Sequence, residues 1–133
     1  MADRITVRTA ARCVLIDITD QISGYVRDHG LDDGTLTLWS LHTTCALTVN
    51  EGYDPDVATD VTSFLSRLVP HTAEFRHSEG NSDAHIKTSL FGPGLTLIVE
   101  RGDILLGRWQ RVYLAEFDGP RTREIAVHAR LTR

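Results

Sequence analysis

The run His42-Thr43-Thr44-Cys45-Ala46-Leu47-Thr48-Val49-Asn50-Glu51 constrains this chain more than any other. It sets a histidine, three threonines, an amide and a carboxylate into a stretch that otherwise reads as a buried strand. Polar groups in a core are costly unless each finds a partner. Two further polar clusters border apolar strands. One is Asn81 to Lys87, with His85; the other runs from Gly107-Arg108-Trp109-Gln110 to Glu116-Phe117-Asp118-Gly119. Together the three clusters read as one shared site.

The strand just before His42 alternates cleanly. Leu36 and Leu38 face one way, Thr37 and Trp39 the other, and the parity carries His42 onto the leucine face at the strand end. Cys45 to Asn50 then reads as the return strand. Ile5 to Ile18 predicts two strands split near Ala10-Ala11, followed by a short helix capped at Thr19 or Asp20 and ended by Gly30. Asp54-Pro55 marks a helix start, with Val57, Val61, Phe64, Leu65 and Leu68 as its apolar stripe and Pro70 as its stop. His71 to Asp83 reads as a loop, Ala84 to Phe91 as a helix, and Leu95 to Glu100, Trp109 to Phe117 and Glu124 to Leu131 as strands. Strands mixed with three helices, without regular βαβ alternation, predict an α+β fold with mainly antiparallel sheets.

The chain has 133 residues, enough for one domain with a real core, and nothing in it reads as a linker or repeat. Eighteen acids against 14 Lys plus Arg give a net charge of −4, which argues against a general nucleic-acid binder. No apolar run is long enough to span a bilayer, and the N-terminal residues resemble no signal peptide. Cys13 and Cys45 lie in apolar surroundings without metal or redox spacing, which predicts free thiols and a cytoplasmic setting.

In order along the chain, His42-Thr43-Thr44, Asn50-Glu51, Asp54-Pro55, Asp60, His77, Asn81, Ala84-His85-Ile86-Lys87, Gly92, Gly107, Trp109-Gln110, Glu116, Asp118-Gly119 and Arg121 resemble the YjbQ family, also called the secondary thiamine-phosphate synthase family. The resemblance implies a compact β-sandwich that assembles as a homotrimer. It also implies a histidine-lined site, seen with a metal in some members, and a weak thiamine-phosphate synthase activity. Cys45 departs from the small Ala or Ser usual there, and the stretch between His77 and His85 is shorter than in many members.

Candidate roles follow. His42, His77 and His85 could hold a divalent metal ion, with zinc as the candidate, leaving one position open. Glu51 and Glu116 are candidate acid–base groups, and Asp60 a carboxylate that orients a histidine or joins the catalysis. Thr43, Thr44, Lys87, Gln110 and Arg121, with Arg123 beside them, are candidates for binding a small phosphorylated molecule. The expected function is a metal-dependent enzyme acting on a small phosphorylated metabolite, with thiamine-phosphate synthase-like transfer. The alternative is a non-catalytic protein that binds a metal or a small anion.

Overall fold

A computed structural model describes residues 2–72 and 74–132 of the protein. Ala73, inside the expected loop from His71 to Asp83, lies outside the described residues. The chain builds β1 (Asp3–Arg8), β2 (Val14–Asp17), α1 (Thr19–Asp28), β3 (Gly34–Ser40), β4 (Cys45–Glu51), α2 (Pro55–Leu68), α3 (Ser82–Phe91), β5 (Gly94–Glu100), β6 (Asp103–Ile104), β7 (Gln110–Glu116) and β8 (Thr122–Leu131). All pairings are antiparallel. One sheet has the order β1-β8-β3-β5-β6 and the other β2-β7-β4. The α+β, mainly antiparallel expectation matches.

Alternation decides which side of each strand is buried. On β3, Leu36, Leu38 and Ser40 turn inward while Thr35, Thr37 and Trp39 face out. Ile5, Leu38, Leu97 and Val127 of the larger sheet meet Leu47, Val112 and Leu114 of the smaller one, and Ile22 and Val26 of α1 complete this core. The second face of the smaller sheet is also covered: Ala46, Ala115 and Phe117 pack with Leu65 of α2 and Ala84 of α3. That double coverage explains why β7 is buried on both faces from Val112 to Glu116.

Three local expectations need correction. The segment from Cys45 does not return alongside β3. It crosses to the smaller sheet and pairs with β7, Cys45 opposite Glu116 and Glu51 opposite Gln110. The helix predicted at Asp54-Pro55 forms, with Asp54 accepting the Asp56 N–H at 3.0 Å. Of its apolar stripe, however, only Leu65 is fully buried; Phe64 and Leu68 stay more than half exposed. At α1 the cap position falls on Ile18, in place of Thr19 or Asp20, and Asp17 just before it accepts the Thr19 N–H at 2.9 Å.

Candidate functional site

The register of β4 against β7 divides the polar clusters between two ends of one sheet. Cys45 and Glu116 mark one end, Glu51 and Gln110 the other, six residues or about 20 Å along the strand. The three clusters therefore do not form one site within the chain. At the first end, the loop after β3, the start of α3 and the turn after β7 enclose a cleft of about 340 Å³. His42, Thr43, Thr44, His85 and Arg121 all line it. Glu51, Gln110, Asp60, Lys87 and His77 do not.

Beneath the cleft lies a buried ion pair. Glu116 and Arg123 have side chains 0% and 3% exposed. Arg123 donates through Nε to Glu116 Oε1 at 2.8 Å and through Nη2 to Glu116 Oε2 and to Thr44 Oγ1, the last at 2.9 Å. Thr9 donates to Glu116 Oε1 at 2.7 Å, and the Phe117 and Asp118 N–H groups to Oε2 at 3.0 and 3.1 Å. Burial pushes the Glu116 carboxyl up, but Arg123, Thr9 and the Asp118 N–H outweigh it and hold it below its ordinary value. Glu116 is thus a saturated carboxylate that ties the cleft floor together, with no oxygen left over for moving a proton. Thr44 is buried in the same network.

His42 is held by its ring. Its Nε2 accepts the Glu124 N–H at 2.8 Å. An accepting Nε2 carries no proton, so in the neutral imidazole the proton sits on Nδ1. Burial lowers the His42 pKa and Arg123 lowers it further, against the pull of Glu116 and Glu124. His42 is therefore a neutral donor at Nδ1, which has no partner among the described residues.

That arrangement does not fit the expected metal triad. A metal at Nε2 would have to displace the Glu124 N–H, and one at Nδ1 would have to displace the proton. His77 lies outside the cleft; its Nε2 is 3.7 Å from Glu79 and its ring packs edge-on against His85 at 5.4 Å. Among the described residues no three His, Cys, Asp or Glu side chains converge as a metal site.

The remaining expected residues have other partners. Lys87, 2% exposed, donates to Asp83 at 3.0 Å; Arg12 and His71 share that carboxylate. Burial pushes Asp83 up, and the bonds from Arg12, His71 and Lys87 hold it well below the usual carboxylate range. Glu51 accepts the N–H groups of Tyr53 and Asp54 at 3.0 and 2.9 Å, shaping the entry to α2. Gln110 accepts the Gly107 N–H at 2.7 Å, and Asp60 is exposed on α2. Arg121 reaches the cleft but is engaged by Asp118, through Nε to the carbonyl at 2.8 Å and Nη2 to the carboxylate at 3.0 Å. The cations chosen to hold a phosphate are thus each matched by a carboxylate.

Asn81 and Asp118 are cleft residues that the site expectations omit. Asn81 holds the N-cap position of α3 without capping it. Its Nδ2 donates to Asp118 Oδ2 at 2.9 Å, and its Oδ1 is buried without a partner. The sequence signal was present, an Asn before a helix and an Asp-Gly turn, but both motifs normally serve the backbone.

Residues 3–131 match the YjbQ family, described as UPF0047 protein YjbQ-like. The chain belongs to this family. It is 45% identical over 127 residues to the UPF0047 protein MJ1081 of Methanocaldococcus jannaschii, covering 96% of this chain and 92% of that one. It is 40% identical to the UPF0047 protein YugU of Bacillus subtilis, covering 92% and 94%. The crystal structure of a YjbQ/UPF0047 family protein from Clostridium acetobutylicum superposes with a TM-score of 0.93 at 39% identity, covering 96% and 99%. A Sulfolobus solfataricus relative, described as a YbjQ-like protein of unknown function, gives 0.90 at 30% identity, covering 97% and 95%.

These findings correct the expected function. The relatives carry a family designation and no activity, and one solved structure is described as being of unknown function. With His42 committed to a backbone N–H and no ligand triad among the described residues, the metal-dependent enzyme acting on a phosphorylated metabolite does not stand. The metal-binding alternative has no ligand triad among the described residues either. No helix among the described residues is long and apolar enough to cross a membrane.

Proposed function

We propose that the cleft binds a small polar, oxygen-bearing molecule and acts on it by hydrogen bonding and proton transfer, with the histidines as donors and not as metal ligands. The observation that carries this reading is the Glu124 N–H on His42 Nε2, which leaves Nδ1–H as the donor. A neutral imidazole donor polarises a carbonyl or developing oxyanion without adding a net charge. His85 is half-buried in the cleft wall and its ring makes no hydrogen bond among the described residues, so it is the group for moving a proton. The Arg121–Asp118 and Arg123–Glu116 pairs, the exposed Glu79 carboxylate and the orphaned acceptor on Asn81 favour a ligand that donates as well as accepts.

The test is a fragment screen by backbone NMR on chelator-treated protein, followed by turnover assays on the hits. Ligands should shift the signals of residues 41–44, 81–85 and 118–121. His42→Ala should lose binding, while His85→Gln should bind and fail to turn over. A full screen that leaves those signals unmoved sinks the reading.

The outer face of the larger sheet supports a second part of the proposal, a homotrimer. Thr35, Thr37, Trp39, Thr96 and Ile98 face outward there, with Trp39 50% and Ile98 53% exposed. A threefold ring needs two different complementary patches per chain, and an apolar sheet face suits one of them. A cytoplasmic setting is supported by the two free cysteines.

A further inference from the structure

The first turn of α3 is a divider between two cavities. Asn81 and His85, one i,i+4 row, line the polar cleft. Ser82 and Ile86, the adjacent row, line a second cavity of about 510 Å³ with Phe75 and His77. His85 belongs to both walls. The second cavity is more apolar than the first: Phe75 and Ile86 present partly exposed hydrocarbon, the His77 ring stands edge-on to His85, and Arg76 is the one charged side chain among its lining. Each cavity has the size of a small-molecule site, and a ligand pocket pairs apolar walls with a few placed polar groups.

The geometry points to a bipartite ligand that straddles α3: an oxygen- and N–H- or O–H-bearing head in the cleft, and a flat apolar or aromatic group against Phe75 and Ile86. This rests on the cleft reading above and names its substrate class. The head must satisfy two opposite demands. His42 Nδ1–H needs an acceptor, and the buried, unpartnered Asn81 Oδ1 needs a donor. A primary amide offers both, its carbonyl accepting and its NH2 donating. A flat ring beyond it would cover Phe75 and Ile86, which are otherwise 37% and 39% exposed, and meet the His77 and His85 edges in favourable aromatic geometry.

The experiment compares acetamide, the head alone, with benzamide, the head plus a flat ring, by NMR titration of the full chain. Benzamide should bind roughly tenfold or more tightly, from ring burial, and shift signals on both sides of α3. Phe75→Ala and Ile86→Ser, both at part-exposed positions that leave the fold intact, should each erase that advantage and leave acetamide binding unchanged. Asn81→Ala should weaken both probes. Equal affinities, with shifts confined to residues 41–44, 81–85 and 118–121, would overturn the bipartite ligand and leave the cleft reading standing. Benzamide shifts confined to Phe75 and Ile86, insensitive to Asn81→Ala, would overturn the bipartite ligand, as would no shift with either probe at its solubility limit; the cleft reading then stands or falls on the full fragment screen.

Discussion

Arg123 and Glu116 carry opposite charges into a place that water does not reach, and each is tolerable only because of the other. Replacing Glu116 by Gln should therefore leave a buried, uncompensated guanidinium and cost about 3–5 kcal/mol in urea unfolding. Glu51→Gln should cost about 1 kcal/mol or less, because that carboxylate only orders a partly exposed turn. The same pairs set the response to acid. Glu116 and Asp83 have folded pKa values below their ordinary 4.5 and 3.8, so their stabilisation is complete above those values. It is lost progressively as pH falls through them toward the folded values. His42 follows the same sign: its folded pKa lies below 6.5, and its contribution declines as pH drops below that value. Imidazole nitrogen shifts should show a neutral Nδ1–H ring at pH 7; a protonated Nε2 there would remove the basis of the donor role.

At the scale of elements, local signals fixed some helix ends and missed a strand's partner. Asp54-Pro55 starts α2 through a side-chain bond two residues away, and Gly92 ends α3 at a φ of 94°, so both boundaries are written within a few residues. The partner of β4 was not legible. Alternation reports which residues share a face and is the same whichever sheet receives the strand. The turn after β7 is an element on which the cleft depends. A Cβ on Gly119 would lie 2.2 Å from the Ala11 carbonyl and 2.8 Å from the Thr9 hydroxyl that also serves Glu116. Gly119→Ala should push the Asp118–Arg121 turn away, destabilise the protein by about 1–3 kcal/mol, and weaken any cleft ligand. A crystal structure of the variant would show the displaced turn; an unmoved turn would refute the prediction.

For the whole molecule, the coverage of the two sheets is unequal. The smaller sheet is covered on both faces, while Trp39 and Ile98 lie on the bare outer face of the larger one. If copies of the chain cover it, Ile98→Lys should give a single-chain mass by light scattering where the parent gives three. An unchanged mass would remove this face as support for the trimer. Gly94 bears on the same face: it allows the Trp39 ring to lie over the neighbouring strand, where a Cβ would approach Cε3 to 2.6 Å.

Sequence alone determined the α+β class and the inward faces of the strands. Each follows from a short-range rule, a period of two, a cap or a turn. The tertiary structure decided which polar groups meet, His42, Thr43, Thr44, His85 and Arg121 at one cleft and Glu51 and Gln110 at the far end of the smaller sheet, and which of them remain available. Thr9 and Glu116, 107 positions apart, and Arg123 and Thr44, 79 apart, meet through long-range packing that no local pattern reports. Lys87 is engaged by Asp83, its i,i+4 neighbour on α3, but Arg12 joins that carboxylate from 71 residues away, which only packing reports. Whether a charge can meet a ligand depends on what neutralises it, and that partner is chosen by register and packing.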